Sequence, residues 1–197
     1  MQPMRTHRGQ VIPLDLANID TDQIIPKQFL KRIERTGYGP FLFNDWRYDQ
    51  SGAPKPDFIL NREPYAHGSI LLAGKNFGCG SSREHAAWAL LDFGISIVIA
   101  PAFADIFHTN AAVNGLLTII LPEPAMAELF ARAAASPAYE LTVNVETLTV
   151  SDDSGWSSPF PLDSFRQHCL LNGLDQIGIT EKKEQFIKDY EARPALY

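Results

Sequence analysis

SILLAGKNFGCGSSREHAAWALLDFGISIVIA, residues 69–100, holds the order of elements on which the fold turns. Residues 69–73 are an apolar run bounded by Gly74, which reads as a buried strand. From Arg83 the apolar positions Ala86, Ala87, Trp88, Ala89, Leu90 and Leu91 follow a helical pattern. Gly94 then supplies the left-handed residue that commonly ends a helix. Residues 95–100 are a β-branched run of strand length. Strand, glycine-rich loop, helix and strand therefore follow one another without interruption.

Outward from this stretch the alternation continues. Residues 11–14 read as a short strand entering the turn-rich 18–26, and 27–35 is a basic, helix-permissive stretch closed by Gly37-Tyr38-Gly39-Pro40. Residues 49–57, rich in Gly, Pro and Asp, read as a surface loop. On the C-terminal side, 104–114 is a helix ended by Asn114-Gly115, 117–121 a strand and 125–135 an Ala-rich helix. Residues 141–145 and 148–150 alternate like an antiparallel pair. Asp163 opens a helix that ends at Asn172-Gly173, and Thr180 is expected to cap a last polar helix reaching Pro194. This pattern predicts a mixed α/β layer fold.

Composition narrows the function. The 197 residues include 45% hydrophobic and 20% charged residues, which is globular usage and too apolar for disorder. A net charge of −6 argues against a nucleic-acid platform, which would carry a basic patch. The most apolar run, 95–104, is about half the length of a membrane span and contains Ser96 and Pro101. The N-terminus MQPMRTHRGQ lacks the apolar stretch of a secretory signal, so a cytoplasmic location is expected. Cys79 and Cys169 are too few for a disulfide framework, an iron–sulfur cluster or a Cys₄ zinc site. The five histidines lack ligand spacing, so no metal is expected on this chain.

Three segments carry chemistry. The first is Gly78-Cys79-Gly80-Ser81-Ser82-Arg83-Glu84-His85. It follows a strand and opens a helix, so free N–H groups and the positive helix end make an anion site. Arg83 can clamp a carboxylate with two parallel hydrogen bonds. Against that reading, Ser81 and Glu84 have the spacing of a capping box, and Arg83 in a first turn would oppose the helix dipole. A Walker loop is excluded because no Gly-Lys-Ser/Thr follows, and a nucleophile elbow because G-x-S-x-G is absent.

The second is Asn18-Ile19-Asp20-Thr21-Asp22-Gln23-Ile24-Ile25-Pro26. It fails as a calcium loop, with Gln23 at the sixth position and Phe29 at the twelfth. Asp20 reads as an Asx-turn or N-cap residue and Asp22 as a hydrogen-bond partner for a catalytic hydroxyl. The third is residues 103–110, where Phe103, Ile106 and Phe107 are spaced as a buried helix face. His108 and Asn110 reach a site or serve the structure. Cys169 reads as core.

With NIDTDQIIP (18–26), GCGSSREHA (78–86) and FADIFHTNAAVNGLL (103–117), the chain resembles the swivelling domain of the aconitase superfamily. RTGYGPFLFNDWRY (35–48) and FRQHCLLNGLDQIGIT (165–180) are similar to the free-standing small subunits of its two-chain dehydratases. The resemblance implies an α/β fold of the three-layer β/β/α swivelling type over residues 1–197, with a C-terminal helical extension. It implies a large-subunit partner that carries a 4Fe–4S cluster, none being bound by this chain. The implied activity is that of a hydro-lyase moving a hydroxyl between adjacent carbons of a substituted malate, in leucine biosynthesis.

By the motif, Ser81 takes the place of the catalytic base and Asp22 supports the site. Ser82 and Arg83 bind substrate carboxylate. Aconitases carry an acidic residue where this chain has Cys79. The arginine that holds their third carboxylate falls, counting from Asp22, on Glu34. A substrate with an apolar branch fits that loss, and the 30–36 loop, from Leu30 to Thr36, is the expected specificity loop beside Lys31, Arg32 and Arg35. Homoaconitate or a methyl-substituted malate are alternative substrates, and a non-catalytic anion-binding module is an alternative of another class.

Overall fold

The computed structural model describes residues 1–31, 34–181 and 183–192. Its organising element is β1 (Thr6–Leu14), which divides its length between two partners. Residues 11–14 run parallel to β2 (Ile70–Ala73), with Val11 opposite Ile70. Residues 6–10 run antiparallel to β5 (Glu140–Asn144), with Thr6 opposite Asn144. Beyond β2 lie β3 (Ile97–Ala100) and β4 (Leu117–Ile120), both parallel, and beyond β5 lie β6 (Thr149–Ser151) and β7 (Ser157–Pro159), both antiparallel. The sheet order is β4-β3-β2-β1-β5-β6-β7.

Eight helices complete the described chain: α1 (Thr21–Ile24), α2 (Asn44–Arg47), α3 (Glu84–Phe93), α4 (Asp105–Asn114), α5 (Glu123–Ala135), α6 (Ser164–Asn172), α7 (Gln176–Glu181) and α8 (Glu184–Glu191). The central parallel strands β2 and β3 are buried along their whole length, which is why they appear in the sequence as unbroken apolar runs. The two-residue period divides them between two cores. Leu71, Ala73, Val98 and Ala100 pack with α1, α3 and α4. Ile70, Leu72, Ile97 and Ile99 pack with Met126 and Leu129 of α5 and with Leu141 and Val143 of β5. A helical layer, a parallel layer and the antiparallel limb thus give the three-layer β/β/α arrangement.

Several boundaries differ from the sequence reading. β1 starts at Thr6 rather than near Val11, because pairing with β5 recruits a polar, half-exposed segment. β7 is a polar edge strand too short to leave a pattern, and Pro159 is tolerated at that edge. The stretch 27–35 forms a 3-10 turn at Lys27–Lys31 instead of a helix; Arg32 and Ile33 lie outside the described residues. Ile106 is 52% exposed, so Phe107 alone of the three expected residues is fully inside. Thr180 lies inside α7, and Lys183 takes the N-cap position of α8 without a side-chain cap bond. Pro194 is outside the described residues. No described helix is long and apolar enough to cross a membrane.

The expected capping box at Ser81 and Glu84 does not form. α3 begins at Glu84 with Arg83 in the N-cap position, and no side chain caps it. The box appears instead at α1, where Asp20 accepts from the Gln23 N–H and Gln23 returns a bond to the Asp20 N–H.

Candidate functional site

The two motif segments lie side by side. The Gly78 N–H donates to Ile19 O at 2.7 Å, and the Thr21 N–H donates to Cys79 O at 2.9 Å. The Thr21 hydroxyl donates to Ser81 O at 2.9 Å. These bonds hold residues 79–81 in register with residues 19–21, which explains why α3 cannot start as early as Ser81.

Glycine is required twice in this crossing. Gly78 has φ 77° and Gly80 φ 90°, both in the region that side chains disfavour. A Cβ on Gly78 would also stand 2.2 Å from the Phe107 ring. The loop therefore passes directly over α4.

At the top of this crossing Arg83 meets Asp22. Arg83 Nη2 donates to Asp22 Oδ2 at 3.1 Å, while Nη1 donates to Oδ1. Lys27 Nζ stands 3.8 Å from the same carboxylate. The Arg83 side chain is only 11% exposed and Asp22 is 38% exposed. The hydrogen bond from Arg83 holds the Asp22 carboxyl below the ordinary aspartate range, and the charges of Arg83 and Lys27 add to it. Asp22 gives both oxygens to Arg83, so its contact is with the guanidinium rather than with the expected hydroxyl. Ser81 and Ser82 are exposed beside the uncapped start of α3. Exposed hydroxyls, a helix N-terminus and a fixed guanidinium together suit a carboxylate.

A ring cluster borders the site. His85 lies 4.6 Å from Trp88 and 5.3 Å from Tyr38, centroid to centroid, and Arg35 sits 5.8 Å over Trp88. Burial holds His85 below its ordinary pKa; the charge of Glu84 opposes this and that of Arg83 adds to it. Arg47 fastens the excursion after this loop: its guanidinium donates to Gly39 O and Leu42 O and to Asn61 Oδ1. Leu30 packs partly against the core, whereas Thr36 is exposed. The described part of the 30–36 segment is thus fixed at the Leu30 end.

The remaining sequence-predicted residues divide. His108 has a structural position: Nδ1 bonds Thr118 Oγ1 at 2.7 Å and Nε2 meets Arg166. A guanidinium only donates, so Nε2 accepts and the ring is neutral. Cys169 is buried in α6, as expected of core. Burial raises the Cys79 thiol above its ordinary pKa, and the Asp20 charge adds to this, which opposes the thiolate that a metal or cluster would need. Among the described residues no group of three His, Cys, Asp or Glu side chains is placed to hold a metal ion. The described residues therefore offer no ligand set for an iron–sulfur cluster. Thr21 and Lys27 are contacts that sequence reasoning missed. The only signal for Thr21 is its place between two Asp residues.

The fold is that of an aconitase-type swivelling domain. A family model described as the aconitase C-terminal domain matches residues 1–124, and one described as LeuD_N matches residues 127–164. A 3-isopropylmalate dehydratase small subunit of Brevibacillus brevis is 57% identical over 98% of this chain and 100% of its own length. One from Koribacter versatilis is 56% identical over 97% of this chain and 98% of its own. A crystal structure of 3-isopropylmalate dehydratase from Methanocaldococcus jannaschii covers 94% of this chain and 99% of its own, with TM-score 0.66 at 22% identity, a likeness of fold. The chain belongs to the family of 3-isopropylmalate dehydratase small subunits, within the aconitase superfamily.

Proposed function

We propose that this chain is the small subunit of a 3-isopropylmalate dehydratase, active only with its large subunit. The complex interconverts 2-isopropylmalate and 3-isopropylmalate by dehydration and rehydration, a hydro-lyase step of leucine biosynthesis in the cytoplasm. The observation that carries this reading is the pairing of Asp22 with Arg83 and of Thr21 with the Ser81 carbonyl, which brings the two motif segments together in a chain 57% identical to a dehydratase small subunit.

The reaction removes a proton from the carbon beside a carboxylate and hydroxide from the neighbouring carbon. A 4Fe–4S cluster on the large subunit supplies the Lewis acid that makes hydroxide a leaving group. This chain supplies the base. Ser81 acts as the alkoxide, a form stabilised by the Ser82 N–H, by Arg83 and by the positive end of α3. It takes the proton to become the hydroxyl, and the electron pair of the broken C–H bond stays on the substrate as hydroxide departs. Ser82 and Arg83 hold a substrate carboxylate, with Asp22 fixing the plane of the guanidinium. Leu30 and Thr36, at the two ends of the 30–36 segment, are the residues assigned to the apolar branch. Glu34 in place of the aconitase arginine is consistent with a substrate lacking a third carboxylate.

The test uses anaerobically purified chain, alone and mixed with cluster-reconstituted large subunit. The ultraviolet absorbance of the unsaturated acid formed from 3-isopropylmalate is followed, with size exclusion alongside. Turnover and a shifted peak only in the mixture support the proposal. Association without turnover moves the substrate to homoaconitate or a methyl-substituted malate. Neither leaves the non-catalytic anion-binding module.

A further inference from the structure

Thr21 and Thr118 are polar residues buried as whole residues, at 2% and 6% exposure. Thr118 is accounted for by His108 on α4. Thr21 is directed at the site loop. A buried hydroxyl needs an acceptor, and Thr21 donates its proton to Ser81 O at 2.9 Å. Its backbone N–H donates to Cys79 O, also at 2.9 Å. Thr21 thus grips the chain on both sides of Gly80, whose φ of 90° is open to glycine because it lacks a Cβ.

The carbonyl that Thr21 holds belongs to the same peptide plane as the Ser82 N–H. In a trans peptide these two groups point in opposite directions, and the plane is rigid. Drawing Ser81 O inward to a buried hydroxyl therefore turns the Ser82 N–H outward, to the side where Ser81 and Ser82 are exposed. A hydrogen bond accepted at the carbonyl also polarises the amide and strengthens its N–H as a donor.

We propose that Thr21 is a positioning residue for the dehydration: its hydroxyl orients the Ser81–Ser82 peptide so that the Ser82 N–H faces the charge that develops at the site. The inference rests on the reading of Ser81 and Ser82 given above. It assigns a role to a residue that touches neither substrate nor cofactor.

The test measures kcat and KM in the reconstituted two-subunit enzyme for Thr21→Val, Thr21→Ser and Ser81→Ala, with thermal unfolding and co-elution recorded for each. Removing one oxyanion donor outright costs about 10²–10³ in kcat, so misaiming one in Thr21→Val is expected to lower kcat by roughly 10–10². KM should change far less, the large subunit should still bind, and Thr21→Ser should restore kcat. Wild-type kcat in Thr21→Val, while Ser81→Ala is inactive, overturns the inference alone. Wild-type turnover in Ser81→Ala overturns the underlying reading. Equal losses in Thr21→Ser and Thr21→Val assign the effect to methyl packing and overturn the role of the hydroxyl. If Thr21→Val does not fold, Thr21→Cys keeps the size and weakens the donor. Wild-type kcat there overturns the proposal, and a lowered kcat at unchanged Tm supports it.

Discussion

The guanidinium of Arg83 and the carboxylate of Asp22, 61 positions apart in the chain, meet fork to fork through two parallel hydrogen bonds. This pair ties the start of α3 to the first turn of α1. It also places a cation where the helix dipole opposes one, a cost of a few tenths of a kcal/mol or more that the bound carboxylate offsets.

Replacing Arg83 by Lys keeps the charge and loses the fork. A charge-assisted hydrogen bond contributes roughly 1.5–3 kcal/mol, so KM for 3-isopropylmalate is expected to rise about 10–10²-fold. Steady-state kinetics of the two-subunit enzyme check this, and an unchanged KM would remove Arg83 from substrate binding.

Ser81→Ala is expected to leave stability within about 0.5 kcal/mol, because Ser81 does not cap α3. Turnover should fall by about 10²–10⁴ through loss of the base. Urea unfolding and the ultraviolet assay on the same preparation separate the two effects. A variant that keeps near-normal turnover shows that Ser81 is not the base.

Gly78→Ala is expected to destabilise the chain by about 2 kcal/mol or more, since it adds a positive-φ penalty to a collision with Phe107. For a chain of this size that corresponds to a Tm lower by roughly 4–8 °C. An undiminished Tm would mean that the loop can lift away from α4.

His7, His85 and His108 are each held below the ordinary imidazole value of 6.5, with burial the largest cause. As pH falls through 6.5 the unfolded chain takes up these protons before the folded chain does, so stability declines with acidification. Denaturant midpoints at about pH 5.5 and about pH 7.5 should therefore be ordered with the higher pH more stable. His108→Gln should reduce that difference, because charging His108 breaks its bond with Arg166. Equal midpoints at both values would contradict the neutral His108 that the geometry requires.

The elements with strong local signals were legible from sequence. β2 and β3 are runs whose both faces are buried, β4 is buried up to its exposed last residue Ile120, and α3, α4 and α6 end where Gly94, Gly115 and Gly173 take positive φ. Asp163 caps α6 as its type and position lead one to expect. β7 and the first half of β1 were hidden, because polar segments become strands only when a partner strand supplies the hydrogen bonds. Likewise, Ser81 and Glu84 have the spacing of a capping box, but the bonds from Thr21 hold Ser81 out of the helix.

The sequence by itself determined the alternation of strands and helices, the glycines of the crossing loop and the residue types suited to a carboxylate. Those follow from side-chain periodicity and backbone sterics, which act over a few residues. Only the tertiary structure decided that Asp22 pairs with Arg83, and that the Thr21 hydroxyl holds the Ser81 carbonyl. Both are contacts about sixty positions apart, made when β1 and β2 pair in parallel and bring their following loops together at one end of the sheet.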